Sequence, residues 1–150
     1  MDLTDRQVIF AGVMLLANRM QAAYDARLDG LTLKQWLALT VVNALPQPVP
    51  STAVVAEALG TSHQNVTKLL VSLADKGLVV LEPSPLDRRA RQVRVTPAAQ
   101  DLFATNDQWG DRVLAELFAT ARPDDLAACR RVLEGMSRVL TGKGLTPEEG

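Results

Sequence analysis

Only two residues, Thr61 and Ser62, lie between Gly60 and the next apolar-periodic segment, and this short junction limits the folds open to the chain. Before it, Ser51 caps a short helix through Leu59 that turns Val54, Val55, Ala58 and Leu59 inward. Gly60 ends that helix, because a residue without Cβ takes the left-handed C-cap position at little cost. After it, Val66, Leu69, Leu70 and Leu73 recur at helical spacing from about Ser62 to Lys76. Gly77 closes this second helix, with Leu78 placed for the apolar contact that accompanies such a cap. Helix, tight glycine turn, helix is the pattern of a helix-turn-helix.

The rest of the chain surrounds that pair with helices and one hairpin. Three threonines stand three residues before a glutamine at the head of an apolar run: Thr4 with Gln7, Thr32 with Gln35, and Thr61 with Gln64. Each reads as a capping box and so as a helix start. The first helix spans about Asp5 to Arg27, and the second runs from Thr32 to about Leu45, where Pro46, Pro48 and Pro50 break the chain. Leu78 to Glu82 and Arg91 to Val95 are rich in Val and Leu and flank a Pro-Ser-Pro-Leu-Asp-Arg-Arg turn, which gives a hairpin. Thr96 then caps a helix with Pro97 at its first position, running to about Ala121, and a last helix covers Pro123 to Leu140. Residues 142–150 read as a frayed end.

The expected fold is mainly α with a small β-hairpin wing: a winged helix-turn-helix lobe at residues 32–96, with helical segments at 1–30 and 97–141, in one domain of 150 residues. In the first half of helix one, Val8, Ile9, Phe10, Val13, Met14, Leu15 and Leu16 leave almost no polar face. A helix apolar all round must be covered all round, and a second subunit is the expected cover. Mean hydropathy of +0.05 and 47% hydrophobic residues agree with an oligomer.

Charge is unevenly spread. The chain carries a net charge of −1, which taken alone argues against a nucleic-acid partner. Between Thr61 and Val95, however, Lys68, Lys76, Arg88, Arg89, Arg91 and Arg94 face only Asp75, Glu82 and Asp87, so this stretch is basic and the remainder acidic.

With the apolar face of the second helix inward, a step of about 100° per residue puts Gln64, Lys68 and Val71 on the opposite side and Asn65 and Thr67 on its flanks. Asn and Gln pair bidentately with adenine, Thr meets a thymine methyl, and Lys reaches guanine or phosphate in the major groove. Ser62 and His63, at the helix start, are suited to phosphate or base contact. Arg88, Arg89 and Arg91 stand at the hairpin tip, where they grip phosphate or enter a minor groove, and Asp87 is expected to orient a neighbouring arginine. A plain solvated helix face is the competing reading, and the adjoining glycine turn and basic hairpin weigh against it.

The sequence resembles the MarR (multiple-antibiotic-resistance regulator) family of winged-helix transcriptional regulators over nearly its whole length. The resemblance rests on Leu31-Thr-Leu-Lys-Gln-Trp36, Val66-Thr-Lys-Leu-Leu70, Leu73-Ala-Asp-Lys-Gly-Leu-Val79, Asp87-Arg-Arg89 and Val95-Thr-Pro97. It implies a homodimer whose first and last helices interlock, two reading helices in successive major grooves of a pseudo-palindromic operator, and wings in the flanking minor grooves. Arg89 matches the family's wing arginine and Asp87 its acidic partner. The family usually has glycine where this chain has Ala99, which puts the local turn in question. Members often bind small aromatic acids or other lipophilic effectors between the dimerisation helices and the DNA-binding lobe. Met20, Tyr24 and Trp36 either line such a crevice or belong to the core.

Other functions find less support. No Gly-rich phosphate loop, metal-ligand cluster or nucleophile triad is recognisable, so neither an enzyme nor a cofactor or metal site is expected. Cys129 alone builds no disulfide framework, and the apolar run from Val8 to Ala17 follows Asp2 and Asp5 rather than a basic leader and is too short to span a bilayer. A cytoplasmic protein without a membrane partner is expected. The alternative is a winged-helix protein-association module without DNA binding, which predicts no salt-dependent affinity for DNA.

Overall fold

The computed structural model describes residues 2–28 and 30–145. Its elements, in chain order, are α1 (Asp5–Tyr24), α2 (Leu33–Ala44), α3 (Thr52–Leu59), α4 (His63–Asp75), β1 (Val79–Pro83), β2 (Arg91–Val95), α5 (Pro97–Leu117) and α6 (Pro123–Thr141). This is the expected winged helix-turn-helix fold, mainly α with a two-stranded antiparallel hairpin. The chain divides into two compact units, Met1–Thr105 and Asn106–Gly150.

The core of the first unit is built where α2, α3, α4 and the hairpin converge. Ala38, Leu39 and Val42 of α2, Val55 of α3, Val66, Leu70 and Leu73 of α4 and Val93 of β2 are all fully buried. In α3 the inward pair is Val55 and Ala56; Ala58, expected inward, is exposed, and Leu59 is half-buried. The hairpin pairs Val79 with Val95 through Pro83 with Arg91. A third piece of backbone joins it: Val49 and Val93 exchange both main-chain hydrogen bonds, at 2.8 and 2.9 Å. Gln47 fixes the base of this arrangement, its Nε2 donating to the Val42 carbonyl at 2.6 Å and its Oε1 accepting from the Val95 amide at 3.1 Å.

Capping sets the helix starts. Thr4 and Thr32 form complete boxes with Gln7 and Gln35. The third cap falls one residue later than expected, at Ser62, whose Oγ accepts the Asn65 amide at 3.2 Å. The Thr61 amide already donates to the Ala56 carbonyl in the Schellman closure of α3, so Thr61 belongs to the end of one helix and not the start of the next. Thr96 heads α5, accepting the Ala99 amide at 3.3 Å while its hydroxyl donates to the Gly77 carbonyl at 2.7 Å. Ala99 is fully buried in the first turn of that helix, where alanine suits the backbone, so the family's glycine is not needed here.

Helix α1 stops at Tyr24, three residues before the expected Arg27, and the freed Asp25 carboxylate accepts the Leu33 amide at the start of α2 (2.8 Å). No residue of α1 is buried, and Phe10 is 74% and Met14 67% exposed. In the second unit α5 ends at Leu117, four residues before Ala121; a turn follows, and Arg122 bonds Asp125 as α6 begins. Residues 142–145, expected to fray, fold back on α6 through Leu145 N to Glu134 Oε2 (2.9 Å) and Ser137 Oγ to the Lys143 carbonyl (2.9 Å). The remainder of that tail lies outside the described residues.

Candidate nucleic-acid interface

Glycine places α4. At φ +62° Gly60 takes the left-handed conformation that ends α3, and its amide bonds the Glu57 carbonyl at 3.1 Å. Gly77, at φ +72°, closes α4 in the same way, with Leu78 N bonding the Leu73 carbonyl at 3.0 Å. Held at both ends, α4 buries Val66, Leu70 and Leu73 and leaves Ser62, His63, Gln64, Asn65, Thr67, Lys68 and Val71 exposed. Leu69, expected inward, is only half-buried.

The exposed groups differ in what they have left to offer a partner. The Thr67 hydroxyl donates to the His63 carbonyl one turn back at 2.9 Å, which leaves its methyl and an acceptor lone pair free. Asn65 Nδ2 leans on Thr61 Oγ1 at 3.4 Å. The side chains of Gln64 and Lys68 make no hydrogen bond or ion pair among the described residues, so the amide and ammonium are left to solvent or a partner.

In the wing, Glu82 bonds both Gln92 Nε2, at 2.7 Å, and the Arg94 guanidinium. The Gln92 amide and then the Arg94 guanidinium hold the Glu82 carboxyl below its ordinary pKa. Arg94 is therefore neutralised, and Lys76 turns away to the Gly30 carbonyl. Lys68, Arg88, Arg89 and Arg91 remain exposed and without an ion pair among the described residues. Asp87 does not pair with a guanidinium: its Oδ1 accepts the main-chain amide of Arg89 at 2.9 Å. It shapes the loop that carries the arginines, because a carboxylate two residues before an amide closes a local turn.

Two of the residues that hold this surface in place escape a reading of the sequence. Gln35 completes the α2 capping box with Oε1 and reaches Ser72 Oγ of α4 with Nε2 at 2.7 Å. Its local bond has a sequence signature; the long-range one has none. Lys76 joins the end of α4 to the linker before α2.

Met20, Tyr24 and Trp36 are each half-buried, and Trp36 meets Phe103 edge-on with ring centroids 5.4 Å apart. A separate open cleft lies between α2, α3 and α4. Cys129 is exposed on α6. Among the described residues no group of three or more His, Cys, Asp or Glu is placed to hold a metal ion, and no helix is long and apolar enough to cross a membrane.

A second helix set between two glycine closures and followed by a hairpin defines a winged helix-turn-helix protein. Residues 29–90 match the model of the MarR family. They are a MarR-family segment, and the chain carries the fold of that family's solved members. The MarR protein from Peptoclostridium difficile is similar at a TM-score of 0.81 and 18% identity, over 93% of this chain and 91% of that one. MepR of S. aureus, solved as a DNA complex, gives 0.75 and 18% over 92% and 100%. BpsR of Bordetella bronchiseptica, described for regulation of its DNA binding by 6-hydroxynicotinic acid, gives 0.75 and 19% over 91% and 98%.

Proposed function

We propose that the protein is a sequence-specific double-stranded DNA-binding transcriptional regulator of the cytoplasm, an effector-responsive repressor acting as a homodimer on a pseudo-palindromic operator. The observation that carries this reading is the exposed row Gln64, Asn65, Thr67 and Lys68 on a helix whose opposite face buries Val66, Leu70 and Leu73, beside a wing whose Arg88, Arg89 and Arg91 are unpaired among the described residues. Ser62 and His63 at the helix start supply phosphate contacts. Asp87 orients the wing loop. Residues 32–96 are the reading lobe, and 1–30 with 97–141 pair the protomers.

Several findings support the parts of this reading. MepR was solved on DNA, and BpsR is described as regulated by a small aromatic acid. The exposed apolar surface of α1 suits a second copy. Met20, Tyr24 and Trp36 are half-buried, a position open to an effector. Nothing in the site's chemistry supplies a nucleophile and base in partnership, so no catalytic step is proposed.

The test is a titration of genomic fragments selected by the purified protein, at several salt concentrations. Lys68→Ala weakens binding to all sequences and lowers the salt slope by about 1, whereas Gln64→Ala relaxes preference at one base position at a cost of about 1–3 kcal/mol. Arg89→Ala loses affinity through the wing. Unaltered binding in all three variants removes α4 and the wing from the interface, and an absence of salt-dependent DNA affinity favours a protein-association module.

A further inference from the structure

The tip of the wing inverts the usual placement of polar and apolar side chains. Ser84, the first residue after β1, is only 6% exposed, whereas Leu86 is 94% exposed, more than any other large apolar residue described. Single exposed leucines are common on protein surfaces, and this one gains its meaning from its setting. The Ser84 amide donates to the Ala90 carbonyl at 2.8 Å, extending the strand pairing by one step, and Ser84 Oγ accepts the Leu86 amide at 3.3 Å. On the other limb the Ala90 amide donates to the Asp87 carbonyl at 3.0 Å, and Asp87 Oδ1 accepts the Arg89 amide. Pro83 and Pro85 have no amide to satisfy, and their rings fix φ. The loop thus sets its own backbone, and the Leu86 side chain takes no part in doing so. In the same loop Arg88, Arg89 and Arg91 are exposed and without an ion pair among the described residues, and the one carboxylate, Asp87, is engaged by a main-chain amide.

We propose that Leu86 is a specificity-determining wedge: it enters the minor groove with the wing arginines, opens one base step part-way, and so favours operator flanks where that step unstacks easily. The role rests on the wing being a DNA-contacting element. An apolar tip among unpaired cations complements a groove whose rims are phosphates and whose floor is stacked bases, and apolar side chains inserted between base steps kink the duplex. One leucine offers too little apolar area to hold a protein on a lipid surface, so the duplex is the favoured partner. The arginines grip phosphate whatever the sequence. Leu86 adds discrimination, because pyrimidine–purine steps such as TA and CA deform easily and A-tract steps are stiff. The self-supporting loop matters here: a wedge must push against bases without its own backbone giving way.

The test uses the full chain and the tightest-binding genomic fragment as a synthetic duplex, with permanganate, which oxidises unstacked thymines, as the probe. In the wild-type complex one thymine in each flank is expected to become reactive, and Leu86→Ala to abolish that reactivity while Leu86→Met keeps it. Leu86→Ala is expected to bind about tenfold more weakly with an unchanged salt slope, since no phosphate contact is lost. Replacing the reactive step by an A-tract step is expected to weaken the wild type about fivefold and to leave Leu86→Ala unaffected. Its thermal unfolding should match that of the wild type, which excludes a folding defect. A wild-type complex with no reactive flanking thymine, or reactivity and affinity unaltered in Leu86→Ala, overturns the wedge and leaves the regulator reading standing. Binding to anionic phospholipid vesicles that Leu86→Ala loses, with duplex binding untouched, assigns Leu86 to a lipid surface and also overturns it. A protein that binds no duplex DNA at any salt concentration overturns the regulator reading and the wedge together.

Discussion

Helix α4, with 13 residues, closes Val66, Leu70 and Leu73 completely away from solvent, whereas α1, with 20, closes none. Both begin at a side-chain cap and both are rich in apolar residues, so local helix signals do not separate them. The pattern does. In α4 the apolar positions fall on one face and the lobe covers that face; in α1 they run round the helix, and Val8, Phe10, Met14, Leu15 and Leu16 are all more than half exposed. The position of α4 is fixed by its own chain. The apolar surface of α1 asks for a partner, and continuous exposed patches of this kind mark association surfaces.

The strongest way to break this contrast is to cut each helix at its apolar surface. Leu70→Ala leaves a cavity in a fully buried site and is expected to cost about 2–5 kcal/mol at any protein concentration, read by denaturant unfolding. Phe10→Ser, at a position 74% exposed, is expected to cost under about 0.5 kcal/mol in dilute protein. With rising concentration the wild type gains stability by mass action and Phe10→Ser does not. Concentration-independent stability in both proteins would remove the second copy from α1.

One substitution made in both places should change sign. Gly60 sits at φ +62° with open space where a Cβ would stand, so Gly60→Ala carries only the left-handed backbone penalty, roughly 1–2 kcal/mol. Gly12 lies within α1, also with nothing near its absent Cβ. In an uncovered helix Gly12→Ala stabilises by about 0.5–1 kcal/mol. If a second copy packs closely against that point, the same change weakens assembly, and sedimentation against chemical unfolding separates the two effects.

The long-range ties of the lobe give a smaller effect. Gln35→Ala removes both the bond to the Thr32 amide and the one to Ser72, and Ser72→Ala only the latter. With a typical bond worth about 1 kcal/mol net, Gln35→Ala should be the more costly of the two, and the double variant should cost no more than Gln35→Ala alone. Additive losses would show that Gln35 and Ser72 act separately.

These particular residues show where the sequence could be read and where it could not. The boxes at Thr4 and Thr32 were legible because both partners lie within one turn. The third was displaced by one residue because the Thr61 amide is spent on the preceding helix, a competition between neighbouring elements that each pattern alone conceals. The wing hairpin was legible from its Val-rich strands and turn, but not the bridge from Val49, which is a single residue amid prolines. Basic residues could be counted; which of them stay unpaired depends on the register that puts Gln92 opposite Glu82 and Arg94 two residues on. From the sequence Asp87 pairs with a guanidinium, but the loop gives it the main-chain amide of Arg89 instead.

Wing pairing supplies the smallest expected effect, and its pH dependence has a definite sign. Glu82 is held ionised by Gln92 and Arg94, so its folded-state pKa lies below the unfolded value. Its contribution is therefore present in full above the ordinary carboxylate range and is lost as pH falls through the lowered folded value. Thermal unfolding followed downward from about pH 6 should show a shallower acid decline in Glu82→Gln than in the wild type, with the two curves approaching each other at the acid end. At neutral pH the variant also frees Arg94 beside Arg88, Arg89 and Arg91. If the wing holds DNA by charge, Glu82→Gln steepens the salt dependence of binding while destabilising the fold slightly. If the wing takes no part, the same variant shows the stability change alone, so one substitution tells a structural ion pair from one that also limits the charge presented to DNA.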